Sequence, residues 1–318
     1  MDEKLFLSTL VENYKEDDNP TDTSVQQIEV ENSLRSVFKK MKDKYHKNLD
    51  ELLFLFRGSH VNFLTSSLHK LSRHYEYFDS SRPWIVYWIS QSISVLGHEA
   101  ILKKNAMHIA NYLKTCENQE TGGYAGFPGG IAHLATTYAA VNAIVTLKST
   151  EALDTIDRDK LHNFISLMKC KNGSFRMHLD GEKDVRGAYC AVSVASICNF
   201  LDDESLFDKT PEWIATCQTY EGGFGPCPNN EAHGGYTFCS VAALCLLKKS
   251  NLIKFDPLMR WLVKKQMKFE GGFCGRTNKL VDLLKFFQLA NGNYQGRMKN
   301  KGCVQNSHLI FRSSNENI

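Results

Sequence analysis

The stretch EGGFGPCPNNEAHGGYTFCSVAALCLL, residues 221–247, contains the two marks that decide the fold. The first mark is a glycine, a second small residue and an aromatic residue. It occurs four times, and its aromatic residues are 51, 49 and 49 residues apart, at Tyr124, Phe175, Phe224 and Phe273. The second mark, a ring within a run of small and apolar residues, keeps steps of 50, 51 and 49 residues, at Trp88, Tyr138, Tyr189 and Phe238. Together the marks predict an internal repeat of about fifty residues.

Each repeat is expected to be a pair of helices. The segment before the glycines is amphipathic and has helix start signals at Thr210 with Pro211 and at Asp256 with Pro257. The segment after them is apolar on most sides, which is typical of a buried helix. Because glycine enters the left-handed region without steric cost, we expect the glycines to form the break between the first, outer helix and the second, inner helix. The sequence therefore predicts an all-α fold, while the repeat alone leaves open whether the pairs form a solenoid or a closed ring.

Composition narrows the possible functions. The chain has 318 residues, 42% of them hydrophobic, enough for one large core or two modest ones. Its formal net charge of +3 is spread along the chain, which argues against nucleic-acid binding. Ten cysteines without a CxxC pair, and a polar start without a signal peptide, favour the reducing cytoplasm. The apolar stretches are shorter than the ~18–20 residues of a membrane span, so no transmembrane helix is predicted.

Three regions differ in pattern. Residues 1–60 are predicted to form an N-terminal helical extension, with a helix near 25–40. Residues 61–282 contain the repeats. Residues 283–318 carry neither mark and are predicted to be a divergent tail.

Four longer motifs stand out in the chain: SRPWIVYW at 81–88, DVRGAYCAVSVAS at 184–196, EAHGGYTFC at 231–239 and FEGGFCGRTNKLVD at 269–282. In this order they resemble the protein prenyltransferase β subunits of the farnesyl type. The resemblance implies an α/α barrel (toroid), incomplete here because the tail lacks the repeat. It also implies an activity: transfer of farnesyl from farnesyl diphosphate to the cysteine of a C-terminal CaaX motif. The family works in the cytoplasm as a heterodimer with an α subunit.

The resemblance also implies a binding site. A diphosphate requires several positive donors, and the matching positions are His233, Gly234, Gly235, Tyr236, Arg276 and Lys279. Further positions that match the family's substrate pocket are Arg186, Tyr189 and Cys239. Trp84 and Trp88 match positions that limit the lipid to fifteen carbons. Without the resemblance, the aromatic residues and Cys239 would be expected in the core, and Arg276 and Lys279 on a solvated surface.

The implied metal site is only partly present in the sequence. The family holds zinc with an Asp, a Cys two residues later and a His from a later repeat, and magnesium is a second implied cofactor. Asp282 matches the Asp, whereas Leu284 stands where the Cys belongs, and the His has no counterpart. Catalytic zinc sites typically use three protein ligands. Two hypotheses follow: a farnesyltransferase β subunit, or an impaired form that binds the α subunit or farnesyl diphosphate without transfer. A terpene cyclase is a third, disfavoured because no DxDD motif occurs.

Overall fold

The computed structural model describes residues 20–45 and 55–282, and within these ranges it contains helices and isolated β-bridges but no strand. The all-α prediction is confirmed. The α-helices are α1 (Asp22–Tyr45), α2 (Arg57–His69), α3 (Arg82–Val95), α4 (Glu99–Thr115), α5 (Leu134–Thr146), α6 (Thr150–Leu153), α7 (Arg158–Met168), α8 (Val185–Ile197), α9 (Thr210–Thr216), α10 (Gly234–Leu246) and α11 (Phe255–Val263). Short 3₁₀ helices cover Arg73–Ser81, Glu204–Phe207 and Ser250–Leu252. No helix in the described ranges is long and apolar enough to cross a membrane.

The described chain divides into two compact units. The first unit contains residues 20–45, 55, 218–238 and 254–282, and the second contains 56–217 and 239–253. The region boundaries at 60 and 282 remain predictions, and the tail 283–318 lies outside the described residues.

Helix packing in the second unit follows the repeat. Helix α5 packs between α3 and α8. Almost every residue of α8 is buried, including Ala188, Ala191 and Ala195, and α5 buries a similar set of small residues. Small side chains let neighbouring helices approach closely, and a helix that is apolar on most sides must be covered on most sides. The predicted inner helices are therefore confirmed as buried elements.

The glycine turns lie in the break that follows the first helix of each pair. Each turn is closed by an antiparallel bridge, as between Gln218 and Phe224. Gly122, Gly173, Gly222 and Gly271 all have positive φ, of 72°, 89°, 110° and 70°. They lie within the bridged turn, several residues after the first helix has ended, so their predicted place in the break after this helix is confirmed.

Close packing explains why these turns use glycine. A Cβ on Gly122 would lie 2.3 Å from the carbonyl oxygen of Lys160 in α7. A Cβ on Gly222 would lie 2.1 Å from the carbonyl oxygen of Pro257 in α11. The turns at Gly122 and Gly222 thus rest directly against the first helix of the next pair, where no side chain fits.

Two further left-handed positions recur at the repeat step. One lies in the loop after each bridged turn, with φ of 79°, 59°, 68° and 55° at Gly129, Asp180, Asn229 and Asn278. The other follows the second helices, with φ of 80°, 52°, 58° and 56° at Gly97, Lys148, Asn199 and Lys248. Glycine, Asn and Asp tolerate this conformation best. The second helices therefore end next to a left-handed residue, at the Gly97 position and its equivalents.

Helix α1 packs against the last turn within the first unit. The buried Gln27 donates from Nε2 to Glu31 Oε1 at 3.1 Å and to Glu270 Oε1 at 2.6 Å. The ring centroids of Phe38 and Phe269 are 5.7 Å apart. The predicted N-terminal helix is thus confirmed, and it extends beyond the expected 25–40.

Candidate functional site

The residue before each of the helices α5, α8 and α10 is a helix cap. Nδ1 of His133 accepts the backbone N–H of Ala135 at 3.1 Å, and Nδ1 of His233 accepts that of Gly235 at 3.1 Å. Asp184 Oδ1 accepts the N–H of Arg186 at 2.8 Å in the same way. Such caps satisfy backbone donors that the helix itself leaves unpaired.

The cap fixes the tautomer of His233. Since Nδ1 accepts a hydrogen bond, the neutral ring carries its hydrogen on Nε2. The imidazole is therefore prepared to donate from Nε2 without being charged. Its ring centroid lies 5.1 Å from that of Tyr236, one helical turn later.

A backbone hydrogen bond joins the His233 segment to the loop that contains Arg276. The N–H of Gly234 donates to the carbonyl oxygen of Gly275 at 2.8 Å. Four of the six predicted diphosphate residues, His233 to Tyr236, thus stand beside the segment with Arg276, all within the first unit. Lys279 is exposed in the same loop.

Arg276 has a carboxylate partner that the sequence analysis missed. Its Nη1 lies 3.3 Å from Glu231 Oε2, and the two side chains are 43% and 50% exposed. A surface ion pair of this kind contributes up to about 1 kcal/mol. A diphosphate, with more charge and more acceptors, is able to replace such a partner. The sequence did contain one signal for this partner. Glu231 stands two residues before the cap His233, just as Glu182 stands two residues before the cap Asp184.

An aromatic stack forms in the second unit. Ring centroids are 5.7 Å apart for Trp84 and Trp88, 5.7 Å for Trp84 and Tyr138, and 5.5 Å for Tyr138 and Tyr189. The Tyr138 and Tyr189 hydroxyls are 3.2 Å apart. Trp88 is 50% exposed, which argues against a role in the core alone. Tyr138 was missed as a site residue, although the repeat had marked it.

Burial keeps the polar groups near this stack neutral. It raises the pKa of both phenols, Tyr138 and Tyr189. Burial also raises the pKa of the Cys239 thiol to about 12, and the nearby Asp184 carboxylate acts in the same direction. A thiol that stays protonated at neutral pH is a poor nucleophile, so Cys239 is suited to packing rather than to covalent chemistry.

Arg186 is paired with two carboxylates of its own segment. Its Nη2 lies 2.6 Å from Asp184 Oδ2 and 3.5 Å from Glu182 Oε1. The side chain is exposed, and the two carboxylates already hold the guanidinium.

The described residues do not fit a zinc ion. Asp282 stands one repeat step after the cap His233, and its N–H donates to the Phe273 carbonyl at 2.8 Å. Within 20–45 and 55–282, no group of three or more His, Cys, Asp or Glu side chains could hold a metal. Leu284 lies outside the described residues. Because a zinc site needs about three protein ligands, no step of the chemistry is derived through this metal.

Helix pairs at this spacing, with hydrogen-bond donors gathered on their turns and rings on their second helices, define a helical-repeat protein. The sequence profile of the prenyltransferase alpha-alpha toroid domain matches residues 55–284. The chain belongs to this prenyltransferase toroid family.

Named relatives agree with this assignment. The chain is 44% identical over 259 residues to the Arabidopsis thaliana protein farnesyltransferase subunit beta, covering 81% of this chain and 52% of that protein. It is 51% identical over 201 residues to the Pisum sativum protein of the same name, covering 63% and 47%. The chain thus spans about half the length of these curated relatives.

A solved structure has the same fold. It is Candida albicans protein geranylgeranyltransferase-I complexed with GGPP, with a TM-score of 0.63 and 22% identity. The match covers 75% of this chain and 76% of that one. At this identity the likeness shows the fold alone.

Proposed function

We propose that this chain acts as a protein farnesyltransferase β subunit, binding farnesyl diphosphate and, with an α subunit, transferring farnesyl to the cysteine of a CaaX sequence. The observation that carries the proposal is the hydrogen bond from Gly234 to Gly275, which holds His233 and Tyr236 beside the segment with Arg276. The similarity to farnesyltransferase β subunits supports the choice of substrate.

The first unit is proposed to bind the diphosphate. His233 donates from Nε2, Tyr236 from its hydroxyl, and Arg276 and Lys279 add positive charge. For transfer the substrate cysteine loses its thiol proton to solvent, its sulfur bonds to C1 of the lipid, and the C1–O bond breaks, so that negative charge grows on the departing pyrophosphate. Donors fixed before the reaction stabilise that charge without having to reorganise.

On the resemblance, aromatic residues are proposed to contact the isoprenoid. Trp84, Trp88 and Tyr189, together with Tyr138, offer a continuous aromatic surface. Aromatic faces bury long apolar chains well. We propose that Trp84 and Trp88 limit the chain length to farnesyl and that Cys239 packs against the lipid as a neutral thiol.

Partners, compartment and cofactors are proposed on the same basis. The relatives are named as subunits, which supports an α-subunit partner. We place the protein in the cytoplasm, where the free thiols of Cys190, Cys198 and Cys239 stay reduced. Zinc and magnesium remain cofactors proposed from the family, with Asp282 as the one described candidate ligand for zinc.

The test is to co-express the chain with its α subunit and to measure bound zinc, farnesyl diphosphate affinity and farnesyl transfer to a CaaX peptide. Turnover with wild-type protein is expected. Arg276→Ala combined with Lys279→Ala should weaken farnesyl diphosphate binding at least tenfold, because hydrogen bonds to charged groups contribute about 1.5–3 kcal/mol each.

The matched control is Lys264→Ala combined with Lys268→Ala, which removes the same charge from exposed positions of the same unit. If both double variants bound farnesyl diphosphate equally weakly, the loss of affinity would reflect the net charge and not a specific contact with the diphosphate. Unchanged affinity in the Arg276 and Lys279 variant would assign both residues to the solvated surface. If the complex bound farnesyl diphosphate but did not transfer farnesyl, the alternative hypothesis of an impaired form that only binds the prenyl diphosphate would replace the transferase hypothesis.

A further inference from the structure

One repeat position is apolar in three turns and charged in the fourth. The residue directly before each bridged turn is Cys116, Met168, Cys217 or Lys265, and these are only 1%, 0%, 1% and 4% exposed. Burying an ammonium costs far more than burying a thiol or thioether, unless the charge has partners. The groups that contact the buried Lys265 ammonium therefore indicate what this residue does in the structure.

Lys265 contacts the loop that follows its own turn. Its Nζ donates to Thr277 Oγ1 at 2.5 Å and lies 5.0 Å from the centroid of the Trp261 ring. The Thr277 hydroxyl in turn donates to Glu221 Oε1 at 3.0 Å. The Lys265 carbonyl accepts the N–H of Cys274 at 2.8 Å. This one residue thus holds the loop at its start through the backbone and near its tip through the side chain.

The tethered residue stands among the proposed diphosphate donors. Thr277 directly follows Arg276 and is separated from Lys279 only by Asn278, whose φ is 55°. In this short loop, fixing the Thr277 side chain also fixes the direction in which its neighbours leave the backbone. Thr277 itself is exposed, so the tether is not a consequence of its own burial.

We propose that Lys265 is a positioning residue, whose buried ammonium holds Thr277 and thereby directs Arg276 and Lys279 toward the diphosphate. This inference rests on the proposed function for its ligand, while the tether itself is independent of any ligand. Lys265 acts through the loop and does not need to touch the substrate.

The test compares Lys265→Met with Lys264→Met in the complex with the α subunit. Methionine keeps the unbranched shape and removes the charge, and Lys264 is the exposed neighbour that lacks the tether. Hydrogen exchange of the Cys274 and Asp282 amides is expected to become about tenfold faster in Lys265→Met only. Pyrophosphate affinity should fall about five- to tenfold in that variant and stay within twofold in Lys264→Met, and Lys265→Arg should restore most of it.

Thr277→Val provides a second variant at a surface position, where global folding is not at risk. If the tether is real, the double variant Lys265→Met with Thr277→Val binds pyrophosphate no more weakly than Lys265→Met alone. Additive losses, or unchanged exchange in Lys265→Met, would overturn the inference. A wild-type complex that does not bind pyrophosphate contradicts the proposed function instead, and the exchange comparison still supports or overturns the tether.

Discussion

The third and fourth glycine turns share a backbone but differ in what their side chains contact. Both are closed by a bridge, both contain a left-handed glycine, and both lie in the first unit. Glu221 and Glu270 hold the same position in the two turns. Glu221 accepts from Thr277 in the following turn, whereas Glu270 accepts from Gln27 in helix α1. The repeat thus fixes the backbone, while each side chain's partner depends on the segment that packs against that turn.

The largest expected effect comes from adding a methyl group to the third turn. Gly222→Ala would place a Cβ 2.1 Å from the Pro257 carbonyl oxygen at a φ of 110°. Overpacking costs about 1–3 kcal/mol and the left-handed conformation about 1 kcal/mol more. We expect a loss of about 2–4 kcal/mol in unfolding free energy, measured by urea denaturation.

Gly271→Ala is the matched control in the fourth turn. Its φ is 70°, and an added Cβ would meet no atom of the described residues within 4 Å. Only the conformational cost of about 1 kcal/mol is expected. Equal losses at the two glycines would show that backbone strain alone, and not contact with the next helix, selects glycine in these turns.

A smaller effect is expected at the contact between α1 and the fourth turn. Gln27→Ala removes the amide that donates hydrogen bonds to both Glu31 and Glu270, so the two carboxylates lose this donor. Losing a partner of buried polar groups costs about 1–3 kcal/mol. In thermal denaturation, the midpoint temperature should fall clearly for Gln27→Ala and stay almost unchanged for Gln26→Ala, which alters the exposed neighbour. Equal stability of the two variants would indicate that α1 is not held by this contact.

The periodic part of this architecture was predictable from the sequence. The aromatic marks gave the number and order of helix pairs, because every repeat needs the same packing residues. The contacts of Gly222 were not predictable, since its clash partner Pro257 lies in the next pair and sequence spacing does not show distance. The left-handed position of Asn278 did leave a signal, because Gly, Asp and Asn recur there at the repeat step.

The site was predictable where it matched a motif and not where it departed from the repeat. His233 and Arg276 were predicted by resemblance and remain proposed site residues, and the structure places their segments side by side. The partner Glu231 and the buried Lys265 were missed, because a charged residue in sequence gives no indication of burial or pairing. In the structure, Lys265 differs clearly from the apolar residues at its equivalent positions.

The smallest expected effect concerns the ion pair that joins the third and fourth turns. Glu231→Gln removes the charge that Arg276 contacts at 3.3 Å, so a diphosphate no longer competes for the guanidinium. Since an exposed pair contributes up to about 1 kcal/mol, pyrophosphate affinity should rise about two- to fivefold. The gain should shrink as salt is added, because screening weakens exposed pairs.

Glu182→Gln is the control for this variant, since Glu182 occupies the equivalent position in the preceding turn and pairs with Arg186 instead. It removes the same charge, so a general change in net charge would raise pyrophosphate affinity equally in both variants. A gain confined to Glu231→Gln would identify the pair with Arg276 as the competitor. No gain in either would mean that Arg276 does not receive the diphosphate, and the proposed binding would then rest on His233, Tyr236 and Lys279.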